Sequence, residues 1–169
     1  MIIQSISGNV ASQSLEGKEI DLLRLEWFET NKRIQRKRTR KGREVAFRFL
    51  KENPNLQDGD IICMDDTSAI VIEIQPCEAI ALTPVSMLEM GTICYEIGNK
   101  HLPLFIQGDE VLLPYEPPIF RWLDASGYKP QQVQRKLANA LRSNVTPHSH
   151  GDGGGGGSLL SKILNIAAK

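Results

Sequence analysis

The stretch GNKHLPLFIQGDEVLLPYEPPIFRWLDASG, residues 98–127, decides the fold class because it places a strand pair between two helices. Residues 102–106 and 110–113 are short apolar segments separated by three turn residues, which is typical of a β-hairpin. Two prolines at positions 117 and 118 predict the first turn of a helix, and Gly127 predicts its end. The stretch therefore predicts the hairpin and the second helix of an α+β domain.

The residues on either side complete this pattern. Residues 78–82 predict a strand, and Pro84 predicts the first turn of a helix whose left-handed final residue is supplied by Gly98 or Asn99. Residues 131–136 predict a last strand. One face of the first helix carries apolar residues at spacings of three and four, namely Met87, Met90, Ile93, Cys94 and Ile97. Strand, helix, hairpin, helix and strand form a ferredoxin-like βαββαβ domain, which we assign to residues 76–143.

The first half of the chain predicts β structure alone. Apolar and polar residues alternate with a period of two in five short segments, at residues 2–6, 19–23, 43–49, 60–64 and 69–74. Turn sequences such as the Asp-Gly pair at 58–59 separate the segments, and no convincing helix precedes Pro76. We therefore expect an all-β N-terminal domain over residues 1–75, built as an antiparallel sheet or a small barrel.

The last residues, 144–169, predict a flexible tail that contains histidine and glycine. Five consecutive glycines cannot bury enough apolar surface to offset the conformational entropy of ordering them. Ser158 then precedes an apolar segment with Leu160, Ile163 and Leu164 on one side, which predicts a short amphipathic helix. The sequence leaves open whether this helix docks on its own chain or on another protein.

Composition narrows the class of protein. The chain has 169 residues, 41% of them hydrophobic, and its 20 basic and 20 acidic side chains cancel, so an electrostatic partner must be bound by a local patch. No basic segment followed by a long apolar run begins the chain, and no run reaches the ~18 apolar residues of a membrane span, which favours a cytoplasmic protein. The three cysteines, Cys63, Cys77 and Cys94, are widely spaced and are expected to be reduced thiols.

Three other kinds of site are not favoured. The glycine run lacks the Gly-Lys-Ser/Thr ending of a phosphate loop and has no buried strand before it, so a linker is the better interpretation. The sequence has no Cys-x-x-Cys and no His-Glu-x-x-His, and Cys94 fits an apolar helix stripe better than a metal site. Nothing supplies a general base beside three metal ligands, which argues against a metal-dependent hydrolase.

The densest charge run spans residues 32–43, where eight of twelve positions are basic. No aromatic residue for stacking on bases occurs in the run, so a solvent-exposed strand-turn-strand that contacts an acidic protein is favoured over a nucleic-acid site. A non-enzymatic protein- or RNA-interaction module that uses this run is the alternative function.

The three histidines are the candidate metal ligands. His148 and His150 are separated by one residue and lie close to Asp152 in the sequence. Imidazole and carboxylate ligands suit nickel, copper or zinc. His101 stands alone and could simply form a hydrogen bond within the fold. In a two-fold dimer, however, a residue can face its own copy, so that the two subunits together supply two imidazoles to one site.

A family resemblance is carried by residues 97–104, Ile-Gly-Asn-Lys-His-Leu-Pro-Leu, and by Glu-Val-Leu-Leu-Pro-Tyr at 110–115. These segments resemble the Gly-Asn-Arg/Lys-His stretch of the UreE family of urease accessory proteins, which are nickel metallochaperones. The basic run, with Thr39 and Gly42 three residues apart, is similar to that family as well. The resemblance covers residues 1 to about 150.

The resemblance implies a homodimer without enzymatic activity that carries Ni(II) as cargo for the urease nickel centre. It implies that His101 of each subunit binds the metal and that His148 and His150 add ligands, with Zn(II) or Cu(II) as competitors in vitro. The implied partners are urease and other urease accessory proteins, including a nickel-insertion GTPase. Neither a membrane nor a nucleic acid is an expected partner.

Overall fold

The computed structural model describes residues 1–50, 54–138 and 140–141. The predicted tail, with His148, His150 and the terminal amphipathic helix, lies outside these residues. Within them the fold is α+β, with a β domain followed by a ferredoxin-like domain, which confirms the predicted class. No helix in the described ranges is long and apolar enough to cross a membrane.

The N-terminal β domain consists of two sheets. Its strands are β1 Ile2–Ile3, β2 Gly8–Asn9, β3 Glu19–Leu25, β4 Ile34–Arg38, β5 Glu44–Arg48, β6 Asp60–Met64 and β7 Ser68–Ile74. One sheet has the order β1-β5-β4 and the other the order β2-β6-β7-β3. A short 3₁₀ turn, Trp27–Glu29, is the one helical segment among the described residues before Pro76, in agreement with the prediction.

The strand directions differ from the prediction. The pairs β1–β5 and β3–β7 are parallel, so a purely antiparallel sheet or barrel is wrong. The period-two pattern shows which side chains share a face of a strand, but it does not specify the direction of the neighbouring strand. The pattern does predict the core, because inward-facing residues of both sheets form one buried cluster that includes Leu23, Phe47, Ile70 and Ile72.

The basic run forms β4 and the turn that leads into β5, which confirms the predicted strand-turn-strand. The buried Asp21 carboxylate on β3 fastens this turn. One of its oxygens accepts a hydrogen bond from the Lys41 backbone N–H at 3.0 Å, and the other lies 3.2 Å from Arg43 Nε. The turn of the hairpin is therefore held against the second sheet.

The C-terminal domain has the element order β8 Pro76–Leu82, α1 Met87–Asn99, β9 Phe105–Gln107, β10 Glu110–Pro114, α2 Pro117–Ala125 and β11 Gln131–Lys136. Its sheet has the order β11-β8-β10-β9 with every pair antiparallel. This order is the ferredoxin-like one that the sequence predicts. The last strand, β11, has the predicted bounds.

Alternate residues of this sheet face two different cores. On one face Ile80, Leu82 and Leu113 pack against both helices. On the other face the sheet packs against Trp27 of the N-terminal domain, whose ring meets the Phe105 ring edge-on with 5.5 Å between centroids. The N-terminal domain therefore covers the face that the helices leave open.

The start of α1 corrects two predictions. The helix begins at Met87 because the Ser86 hydroxyl caps it, accepting the Glu89 N–H at 3.1 Å, so Pro84 lies outside the first turn. Ile93 and Ile97 are buried, and Met90 and Cys94 pack beside them, as predicted. Met87 is 87% exposed and does not belong to that stripe.

The start of α2 and the three cysteines agree with the predictions. Pro117 and Pro118 form the first turn of α2, and Gly127, with φ 84°, follows its end. Cys63, Cys77 and Cys94 are all unpaired.

Candidate metal centre

The end of α1 places His101 in an uncommon backbone conformation. The helix ends at Asn99, and His101 follows with φ 56°. The His101 N–H donates to the Gly98 carbonyl at 2.9 Å, and the Leu102 N–H donates to the Ile97 carbonyl at 3.4 Å. These two bonds form a Schellman motif, in which the residue after the helix cap is left-handed. The prediction that Gly98 or Asn99 supplies this residue is therefore wrong, because both are still helical.

The imidazole of His101 is free for another role. The residue is exposed, and its side chain has no hydrogen bond or ion pair to any residue in the described ranges. The interpretation of His101 as a hydrogen-bonded structural histidine therefore has no support in these contacts. A left-handed residue other than glycine costs about 1–3 kcal/mol, and such residues concentrate at functional sites.

One chain does not complete a metal site within its described part. No three His, Cys, Asp or Glu side chains there are grouped so that they could hold an ion. Cys94 packs with the buried residues of α1, with its Sγ 3.9 Å from Met90 Sδ, and burial raises the pKa of its thiol. A metal site that included His101 would need further ligands from outside this part of the chain.

The solvent side of α1 carries large apolar side chains that no residue in the described ranges covers. We call it the outer face of α1, and it consists of Val85, Met87, Leu88, Thr92, Tyr95 and Asn99. Val85, Leu88 and Tyr95 are 92%, 82% and 71% exposed. Leu88 and Tyr95 are seven residues apart and so lie on one stripe, which runs toward the turn that holds His101. The apolar stripe predicted for this helix did not include Leu88 and Tyr95, although their seven-residue spacing indicates a second apolar face.

A positive charge next to His101 in the sequence is held against α2. Lys100 Nζ lies 4.5 Å from the centroid of the Trp122 ring. This cation–π contact packs the end of α1 on α2 and places the ammonium group over the indole.

The chain leaves the domain close to His101. After β11, Ala140 forms an antiparallel bridge with Phe105, and the Leu141 N–H donates to the Leu104 carbonyl at 2.7 Å. Leu104 is three residues from His101, so the tail begins near the exposed imidazole. His148 follows Leu141 by seven residues, which span roughly 23 Å when extended at ~3.3 Å per residue. A segment of this length would be long enough to reach His101; His148 and His150 themselves lie outside the described residues.

Comparisons with known proteins match both halves of the chain. The model of the UreE urease accessory protein, N-terminal domain, matches residues 3–75, and that of the C-terminal domain matches residues 75–157. A Flavobacterium johnsoniae protein named urease accessory protein UreE is 52% identical over 167 residues, covering 99% of each chain. A Haemophilus influenzae protein of the same name is 49% identical over 147 residues, covering 85% of this chain and 80% of its own. One from Acetivibrio thermocellus is 38% identical over 153 residues, covering 89% and 97%.

The two domains and their matches define an accessory protein of enzyme maturation. The chain belongs to the UreE family of urease accessory proteins.

Proposed function

We propose that this chain is a nickel metallochaperone, in which a homodimer binds Ni(II) through His101 of both subunits and delivers it for assembly of the urease nickel centre. One observation carries the proposal: an exposed imidazole without a hydrogen-bond partner in the described residues stands at the end of an uncovered apolar helix face. Membership of a urease accessory family supports the destination of the metal.

The outer face of α1 supports a dimer. Leu88 and Tyr95 leave large apolar surfaces in water, and covering such a patch is favourable in proportion to the area removed from solvent. A second copy is the proposed cover, because a two-fold interface places the same patch on both sides. In the proposed dimer the two-fold axis runs along the two α1 helices, so that their C-terminal turns, and the two His101 residues, meet at one end of the interface.

The tail supplies the proposed additional ligands, His148 and His150. It departs beside Leu104, so these histidines can approach the two imidazoles from the chain that follows Leu141. Imidazole suits Ni(II), and it also suits Zn(II) and Cu(II), which we expect to compete in vitro. A site assembled from two subunits and a tail can exchange its ligands one at a time, which suits an ion that has to be released.

The remaining assignments extend the same proposal. We place urease and other urease accessory proteins, including a nickel-insertion GTPase, among the partners, and we place the protein in the cytoplasm. The proposed division is residues 1–75 for protein interaction, 76–143 for metal binding and dimerisation, and 144–169 for the tail. Support for its first boundary comes from β7, which ends at Ile74, and β8, which begins at Pro76.

The test is Ni²⁺ titration calorimetry on His101→Asn. Asparagine tolerates the left-handed conformation, so this change removes the imidazole and keeps the turn. We expect the tight site to disappear, whereas truncation after Pro147 should weaken it or alter its coordination. Lys129→Asn is the matched control, because Lys129 also has a positive φ, 50°, and carries no imidazole. Unchanged nickel affinity in His101→Asn would refute the assignment.

A further inference from the structure

The outer side of the sheet β1-β5-β4 is a second surface that metal binding does not use. We call it the arginine face, and it consists of Ile2, Ile34, Arg36, Arg38, Glu44, Ala46, Arg48 and Leu50. The strand register places Ile2, Ala46 and Arg36 in one row. The same register pairs Ile34 with Arg48 and Arg38 with Glu44. Three arginines and three large apolar residues therefore share one side of the sheet.

The charges of this face are only partly neutralised. Arg38 bonds to Glu44 at 2.6 Å. Lys37, on the opposite side of β4, is bound by Glu29 and does not contribute. Arg36 and Arg48 have no carboxylate within 4.0 Å among the described residues, so their guanidinium groups can pair with an incoming anion.

The apolar members of the face are unusually exposed. Ile2, Ile34 and Leu50 are 65%, 75% and 66% exposed. The small side chain of Ala46 leaves an open depression of about 590 Å³ between Ile2 and Arg36. Isoleucine and leucine side chains held in water beside unpaired arginines are typical of a protein-binding surface, where apolar contacts and charge pairs act together.

We infer that the arginine face binds an acidic segment of another protein that also carries apolar side chains. Carboxylates of the segment pair with Arg36 and Arg48, and its apolar residues cover Ile34 and Leu50. A nucleic acid fits less well, because no member of the face is aromatic and bases have nothing to stack on.

The chain's own tail does not provide this chemistry. Its apolar segment carries Lys162 and Lys169, and no acidic residue follows Asp152. Positive charge brought to a surface of arginines is repelled, so the occupant is a different chain.

The face is also organised before a partner arrives. Val45 and Phe47 lie buried directly beneath it, and Asp21 holds the turn between β4 and β5. Side chains on a rigid, paired strand lose little backbone entropy on binding. The inference rests on the proposed protein-interaction role of residues 1–75 and is independent of the proposed nickel site.

A fluorescein-labelled synthetic peptide of alternating Glu and Leu tests the inference by fluorescence anisotropy on the full chain. We expect salt-sensitive binding that the double variant Arg36→Glu/Arg48→Glu weakens about tenfold or more. Ile34→Ser should weaken binding several-fold. Arg121→Glu, an exposed arginine on α2, is the matched control and should leave affinity unchanged.

Two further arms make the outcome decisive. Circular dichroism melts show whether each variant is folded, and Ni²⁺ titration shows whether the metal site persists in the double variant, as we expect. Failure of the wild-type chain to bind the Glu-Leu peptide, equal binding of a Lys-Leu peptide, or tighter binding of a labelled single-stranded RNA would each overturn the inference. Equal affinity of wild type and double variant would overturn it as well.

Discussion

At the scale of single residues, His101 has a backbone role and a side-chain role that can be separated. The His101 N–H donates to the Gly98 carbonyl, and the Leu102 N–H donates to the Ile97 carbonyl. This way of ending α1 needs a left-handed residue at position 101. Glycine is the usual choice there because it has no Cβ to strain. A histidine in its place, with the imidazole exposed, indicates that the side chain is kept for a purpose other than ending the helix.

Two substitutions at His101 are predicted to have opposite effects on stability. His101→Gly relieves the left-handed strain and should raise the free energy of unfolding by up to about 1 kcal/mol. His101→Val places a β-branched residue at φ 56° and should cost at least about 1 kcal/mol. Urea unfolding of both variants measures this, and both should lose the tight nickel site. A less stable glycine variant would show that the imidazole itself stabilises the fold.

At the scale of elements, α1 carries two apolar faces with different neighbours. Ile93 and Ile97 bury one face against the sheet, while Leu88 and Tyr95 leave the other in water. An isolated surface helix normally presents polar residues on its solvent side. The exposed apolar face of α1 therefore supports the proposed dimer.

Charge placed on that face is predicted to prevent dimerisation. Leu88→Glu/Tyr95→Glu would bury two carboxylates per chain in an apolar interface, at a cost of several kcal/mol. Sedimentation velocity should give a dimer for the wild type and a monomer for the variant. Gln131→Glu, at an exposed position of β11, is the control and should remain dimeric. A variant that sediments as the wild type does would place the dimer contact elsewhere.

At the scale of the whole molecule, the two domains share a core. The sheet face that carries Ala79, Ala81 and Leu112 would be open in an isolated ferredoxin-like domain, and here it packs against Trp27. Lys136 of β11 also pairs with Asp58 across the two domains at 3.0 Å. We therefore expect the two domains to unfold together rather than as independent units.

Trp27→Ala is predicted to weaken that shared core. Loss of the indole from its contact with Phe105 should lower the free energy of unfolding by about 2–4 kcal/mol. Phe28→Ala, at a neighbouring ring that is 51% exposed, should cost less than about 1 kcal/mol. Urea unfolding followed by fluorescence and by circular dichroism tests both values. A Trp27→Ala cost as small as that of Phe28→Ala would show that the domains are held by other contacts.

The sequence by itself determined the local features of this protein. The periods of two and of 3.6 predicted the ferredoxin-like order, the bounds of β11 and the buried stripe of Ile93 and Ile97, because side-chain spacing depends only on local backbone geometry. Gly127 likewise predicted the end of α2, and the stretch around His101 carried the family resemblance.

Only the tertiary structure decided which surfaces meet. It made β3 and β7 parallel, moved the left-handed residue to His101, exposed Met87 and brought the start of the tail beside Leu104. The strand pairing and the position of the tail depend on contacts between residues far apart in the chain, whereas the two ends of α1 are set by local hydrogen bonds that the apolar pattern does not report. Local periodicity carries no information about such contacts, because it specifies the faces of an element and not the neighbours that cover them.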